Sequence, residues 1–161
     1  MKLDRDLVTC SLSAIDQNDL FKQMTSKIVV NGYAKEAFLQ DLLDRENEFP
    51  TGLKVEGVSY GFAVPHAYPK NVLKDGIAVA TLTQPIPFKS MVDPETTIDV
   101  EIVFMLASKD SQLHIKLLSD IVTLFKSPEF PQMIMQAKTA EQLAAYVESE
   151  VEKYRESSEN D

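Results

Sequence analysis

Between positions 100 and 107 the chain carries Val100, Ile102, Val103, Phe104, Met105, Leu106 and Ala107, an almost unbroken apolar run of strand length. Successive side chains of a strand point to opposite faces, so a run without polar alternation needs apolar cover on both. Such a strand belongs inside a sheet with helices packed on either side, and the rest of the chain has to supply those helices. At 161 residues and 44% hydrophobic, the chain suits one domain that buries roughly 70% of the surface exposed by its unfolded form.

The periodicity of the flanking segments supplies the remaining elements. Residues 7–12 predict a first strand. Asp16 caps a predicted helix to about residue 30, with Leu20, Phe21, Met24 and Ile28 on one face, and Asn31-Gly32 stops it with residues that tolerate positive φ. A second helix over 35–46 buries Ala37, Phe38, Leu42 and Leu43. Residues 47–57 hold Pro50, Gly52 and Gly57 and predict a loop, with strands following at 58–64 and 77–82. Pro85, Pro87 and Pro94 punctuate the stretch before the apolar run.

A helix over 111–126 carries Leu113, Leu117, Leu118, Ile121, Leu124 and Phe125, with Asp110 or Ser111 as its cap. Ser127-Pro128 opens another. Thr139 and Gln142 have capping-box spacing and open a last helix towards Tyr154. Residues 156–161 predict a polar tail that cannot repay its ordering entropy. The expected organisation is an α/β domain over 1–155 followed by that tail.

Sixteen basic side chains against 25 acidic ones leave a formal net charge of -9. That balance speaks against binding nucleic acid or an anionic membrane, both of which select basic patches. Cys10 is the only cysteine, so neither an internal disulfide nor a cysteine metal cluster can form. No run reaches membrane-spanning length and residues 1–6 lead into no apolar signal segment, so the expectation is a cytoplasmic protein without direct membrane insertion.

The chain has two histidines. The first ends the series Gly61-Phe62-Ala63-Val64-Pro65-His66, in which proline closes an apolar strand and sends the next residue out in a defined direction. Neutral imidazole is a good nucleophile at cytoplasmic pH, and the nitrogen that attacks is chosen by the hydrogen bond the other one makes. His66 is therefore a candidate phosphoryl acceptor, with Asp99, Glu101, Asp110 or a backbone carbonyl as candidate orienting groups. Arg45 offers a planar fork of donors matched to phosphate oxygens, and Thr51-Gly52 a hydroxyl and unobstructed backbone. His114 opens a helix whose first turn favours an anion.

Blander alternatives stand beside each of these. His114 as a hydrogen-bond donor to a loop carbonyl, Arg45 as a solvated ion pair with Asp44 and Glu46, and Thr51-Gly52 as a plain turn all fit the same residues. The histidines lack His-x-x-x-His spacing, and no glycine-rich nucleotide loop is present, so neither a metal nor a cofactor is expected and a phosphoryl group would arrive on another protein.

Taken together, Arg45-Glu46, Thr51-Gly52, the series ending in Pro65-His66, and His114-Ile115 before a leucine-rich helix resemble, in order, the blocks of the EIIA components of the sugar phosphotransferase system, fructose-mannitol class. The resemblance covers about residues 7–146. It implies a single domain with a central mixed β-sheet flanked by helices. It also implies that His66 takes a phosphoryl group from the histidine phosphocarrier HPr and passes it to a cysteine of an EIIB partner, and through EIIB serves a membrane EIIC. Arg45 and His114 then stabilise the phosphoryl group. Residues 45–53, 87–91 and 103–107 look most like stand-alone galactitol-type members, which makes galactitol the expected sugar. The nitrogen-related branch of the family implies the alternative, a regulatory module whose phosphorylation controls a transcription regulator or transporter. Phe62, Tyr68 and Phe88 are candidates for an apolar docking patch near His66.

Overall fold

A computed structural model describes residues 2–159. Five strands form one sheet in the order β1-β4-β5-β3-β2, with β1 at Val8–Leu12, β2 at Gly52–Leu53, β3 at Gly61–Ala63, β4 at Gly76–Lys89 and β5 at Thr97–Ala107. The β1/β4 and β3/β5 pairs are parallel, while β4/β5 and β2/β3 are antiparallel, which makes the sheet mixed. The helices are α1 (Gln17–Val30), α2 (Phe38–Glu48), α3 (Ser111–Leu124), α4 (Glu129–Met135) and α5 (Ala140–Glu159).

The apolar run at 100–107 is the core of β5, which has β4 on one side and β3 on the other. Its side chains divide by the two-residue period of a strand. Val103, Met105 and Ala107 join Leu20, Phe21, Met24 and Ile28 of α1 and Phe38 and Leu42 of α2. Ile102, Phe104 and Leu106 join Ile121 and Leu124 of α3, Phe130 and Ile134 of α4, and Leu143 and Val147 of α5. Within the second core Phe62 stacks on Phe125 with centroids 3.7 Å apart, and Phe104 and Phe130 meet Phe125 edge-on.

Caps begin where the sequence places them. Asp16 accepts from the Asp19 amide at 2.8 Å to start α1, and Asp110 accepts from the amides of Gln112 and Leu113 to start α3. At α5 the Thr139 hydroxyl accepts from the Gln142 amide, while the Gln142 side chain reaches back to the Lys138 amide, one residue earlier than in a regular capping box.

Four expectations change. Helix α2 starts at Phe38 rather than 35, because the Lys35 amide is taken by the Asn71 carbonyl and Ala34 bridges Val72. The predicted loop at 47–57 contains β2, and the strand predicted at 58–64 contracts to β3, because Gly52 and Leu53 pair with Ala63 and Phe62. Pro85 and Pro87 lie inside β4 rather than ending it. Pro85 falls in an irregular stretch between Thr81 and Ile86, and Pro87 lies beyond the last residue paired with β1, where one edge of β4 needs no donor for that strand.

The fourth change concerns the tail. Residues 156–159 continue α5, a helix already nucleated over the buried Leu143, Ala144, Val147 and Val151, so each added residue gains a backbone hydrogen bond without a new nucleus. Positions 160 and 161 of that tail lie outside the described residues, as does Met1.

Candidate active site

His66 follows β3 by way of Val64 and Pro65. The parallel pairing of β3 with β5 continues past the end of the strand, where the Leu106 amide donates to the Pro65 carbonyl at 2.9 Å and His66 bridges Leu106. Gly61, at the start of β3, leaves no room for a side chain between the two strands: a Cβ there would lie 2.3 Å from the Asp99 carbonyl oxygen. The histidine thus stands at the carboxyl end of a parallel strand pair, where crevices form in α/β sheets. Helix α3 begins just after β5 ends and delivers His114, in its first turn, to the same place.

The two imidazoles face each other with ring centroids 4.5 Å apart and planes inclined by 60°. His66 Nδ1 lies 2.7 Å from the Val64 carbonyl oxygen. A carbonyl can only accept, so Nδ1 carries the proton and Nε2 keeps its lone pair. The orienting group is thus a backbone carbonyl rather than Asp99, Glu101 or Asp110, and Asp110 spends its carboxylate on the first amides of α3.

Burial holds His66 below the usual imidazole range, with the charge of Arg45 adding to the effect against the hydrogen bond to Val64. Burial, His66 and Arg45 together push His114 down to about 4. Both rings are neutral at neutral pH.

Arg45 comes from the last turn of α2. It is no ion pair with its sequence neighbours: Asp44 accepts from Gln40 at 2.9 Å and Glu46 accepts from Thr51. Its Nη1 donates to the Tyr68 hydroxyl at 2.8 Å, and its guanidinium carbon sits 4.2 Å from the Phe49 ring centroid and 4.8 Å from that of Tyr68. Arg45, His66, Tyr68, Ser108, Ser111 and His114 line a cleft of about 250 Å³. That space holds one cation, two neutral imidazoles and three hydroxyls beside Asp110, whose carboxylate is taken by the first amides of α3, a set that can receive a small anion at a free ring nitrogen. Among the described residues, no group of three or more His, Cys, Asp or Glu side chains is placed to hold a metal ion.

Residues 1–150 match the family described as "Phosphoenolpyruvate-dependent sugar phosphotransferase system, EIIA 2". The chain belongs to this EIIA family. It is 26% identical over 141 residues to the mannitol-specific phosphotransferase enzyme IIA component of Staphylococcus aureus, covering 86% of this chain and 89% of that protein. Against the galactitol-specific EIIA component of the Escherichia coli phosphotransferase system it is 23% identical over 128 residues, covering 80% and 83%. Its fold superposes on a complex of enzyme IIA for mannitol with phosphorylated enzyme IIB from Escherichia coli, with a TM-score of 0.76 at 18% identity over 92% of this chain and 98% of the other.

Not every residue singled out in this EIIA chain reaches the cleft. Thr51 is buried, donating its amide to Glu46 Oε1 at 2.9 Å and its hydroxyl to Glu46 Oε2 at 2.7 Å, while its carbonyl accepts from the Val64 amide. Gly52 faces the end of β4, where a Cβ would lie 2.7 Å from the Lys89 carbonyl oxygen. Neither lines the cleft. They tie the loop after α2 to β3 and β4, so that Arg45 and His66 are held through Glu46, Thr51 and Val64. Burial lifts the Glu46 carboxyl to about 7 against the pull of its two bonds from Thr51.

Of the three docking candidates, Phe62 and Phe88 are 0% and 1% exposed and belong to the two cores, while Tyr68 is 67% exposed at the cleft rim. The sequence does not single out Ser108, and it marks Ser111 only as a candidate helix cap. Their one shared signal is position, at the junction where the central strand turns into the histidine-bearing helix.

Proposed function

We propose that this EIIA protein carries a phosphoryl group on His66 Nε2, taken from the phosphohistidine of HPr and given to a cysteine of an EIIB partner. One observation carries the reading: the Val64 carbonyl fixes the proton on Nδ1 of a neutral His66 and leaves Nε2 as the nucleophilic nitrogen of a ring that lines the cleft. The Nε2 lone pair attacks phosphorus, the bond from phosphorus to the donor's nitrogen breaks, and the positive charge developing on the His66 ring is shared with the Nδ1 proton and the Val64 oxygen. In the second transfer a cysteine thiolate attacks phosphorus and the bond to Nε2 breaks, returning neutral His66.

Arg45 and His114 stabilise the transferring group. Its charge lies on the equatorial oxygens, where catalysis consists mainly of positioned positive charge and donors. A net charge of -9 favours rapid encounter with a basic phosphodonor surface. An EIIB partner is supported by the fold shared with an enzyme IIA bound to phosphorylated enzyme IIB. That partner connects the protein to a membrane EIIC from the cytoplasmic side. Among the described residues no helix is long and apolar enough to cross a membrane. The sugar is a hexitol, galactitol, selected through the EIIB surface that this protein fits rather than by contact with the sugar.

The test is intact-mass spectrometry at neutral to alkaline pH after incubation with phosphoenolpyruvate, enzyme I and HPr. The native chain gains one acid-labile phosphoryl group and His66→Ala gains none. An alanine variant that still takes up phosphate would overturn the assignment.

A further inference from the structure

We propose that Phe49 and Tyr68 form an aromatic clamp that positions Arg45 without neutralising it, and that the clamp thereby speeds phosphoryl transfer at His66. The inference rests on the phosphocarrier reading of His66 and assigns Tyr68 as a positioning residue within it.

An arginine at a cleft rim loses considerable rotamer freedom when it meets an anion, so an unanchored one is a poor electrostatic catalyst. Anchoring it to a carboxylate would remove that cost and most of its field. Here the carboxylates are close at hand, since Asp41, Asp44 and Glu48 border the same surface hollow as Arg45 and Tyr68. Yet among the described residues the ion pairs are those of Arg5 with Glu141 and Glu148 and of Lys70 with Asp41, and none involves Arg45.

The anchor is aromatic instead. The guanidinium lies 4.2 Å from the Phe49 centroid and 4.8 Å from that of Tyr68, contacts that attract a cation through the ring quadrupole while leaving its net charge intact. The Tyr68 hydroxyl accepts one N–H at 2.8 Å, leaving the rest of the donor fork for phosphoryl oxygens. Phe49 closes α2 one turn beyond Arg45, and Tyr68 lies two positions beyond His66 on the same loop. The clamp therefore ties the cation to the segment that carries the nucleophile. Arg45 remains one of the causes that hold both imidazoles below their usual range, as an unneutralised cation should.

The experiment compares the full chain with Tyr68→Phe, Tyr68→Leu, Arg45→Ala and the Tyr68→Leu/Arg45→Ala double variant. Rapid-quench phosphorylation by phosphoenolpyruvate, enzyme I and HPr gives the rates, and nitrogen-detected NMR follows the titration of the two imidazoles. A misplacement on the order of 1 Å can cost about 100-fold, so Tyr68→Leu is expected to slow transfer by about 10- to 100-fold. Tyr68→Phe keeps the stacked ring and recovers most of that loss. In Tyr68→Leu both imidazole pKa values rise towards those of Arg45→Ala, and adding Tyr68→Leu to Arg45→Ala raises them no further, whereas lost burial would raise them in either background. The double variant is no slower than Arg45→Ala alone, because the clamp acts through the arginine.

Transfer in Tyr68→Leu at the native rate, or losses that simply add in the double variant, would overturn the clamp. A native chain that takes up no phosphoryl group would instead overturn the function on which it rests, so the two failures are told apart.

Discussion

His66 and His114 meet ring to ring, with centroids 4.5 Å apart, although one follows a short inner strand and the other stands at the start of the helix that follows the central strand. The parallel pairing of β3 with β5 ends both strands at one place, and the turn from β5 into α3 is short enough for the first helical turn to face the β3 loop. In the proposed carrier the pair gives His66 a partner that stays neutral until a phosphoryl group arrives. A dianionic group on Nε2 would favour a proton on His114, so the second ring becomes a better donor when one is needed.

Replacement of His114 by alanine should therefore leave phosphate acceptance intact and slow onward transfer to EIIB by about 100-fold, the scale on which one donor to a developing oxyanion matters. Rapid-quench transfer from the phosphorylated variant to EIIB measures it. Onward transfer at the native rate would leave His114 a packing residue.

The acceptance rate should be insensitive to pH from mildly alkaline conditions down to about 6.5, the ordinary imidazole value, and fall only below it. The sign follows from the buried His66, whose folded pKa lies below that value, so the nucleophilic form persists further into acid than for a free imidazole. A rate that halves near or above the ordinary value would contradict this. His114 acts on stability in the same sense. With its folded pKa near 4, the unfolded chain takes up the proton first, and stability is lost as pH falls from about 6.5 towards 4.

Glu46 has the opposite linkage. Its folded pKa of about 7 exceeds the ordinary 4.5, so its contribution to stability is complete below 4.5 and is lost as pH rises through about 7. Glu46→Gln can keep both bonds with Thr51 and should remove this loss, raising the urea midpoint at mildly alkaline pH relative to the native chain. Glu46→Ala leaves a buried amide and hydroxyl unpartnered and should cost about 1–3 kcal/mol at any pH. Equal pH profiles for the native chain and Glu46→Gln would exclude the carboxyl as the titrating group.

Phe125 gathers the second core, stacking on Phe62 and meeting Phe104 and Phe130 edge-on. Phe125→Ala should destabilise the fold by about 3–5 kcal/mol, as for other buried aromatics cut back to alanine. Phe62→Ala should behave alike and leave the affinity for phosphodonor unchanged, since its ring is 0% exposed. Denaturant unfolding and a binding titration separate the two; lost affinity with native stability would return Phe62 to the surface.

Much of the fold was legible along the chain because it is written in local periods. The caps at Asp16 and Asp110, the stripe of α1 and the doubly covered β5 depend on neighbours within a few positions, and each stands close to where its pattern puts it. Elements defined by a distant partner were harder to read. Strand β2 exists because Gly52 and Leu53 find Ala63 and Phe62, and Pro85 and Pro87 sit within β4 because β1 stops short of them. The apparent tail at 156–159 is helical because α5 was nucleated on buried side chains well before it.

The site divides along the same line. By itself the sequence determined which side chains are suited to the proposed chemistry, since an imidazole after proline, a second imidazole opening a helix and an arginine ending one are properties of residue type and local position. Only the tertiary structure decided what each one touches. It turned Thr51 inwards to Glu46, sent Phe62 and Phe88 into the cores, set the His66 proton on Nδ1 through Val64, and lodged Arg45 between two aromatic rings rather than beside a carboxylate. Residue type gives a side chain its possible bonds, but burial and the geometry of strands that pair across the chain select the bond that forms, and those are settled only when the sheet closes.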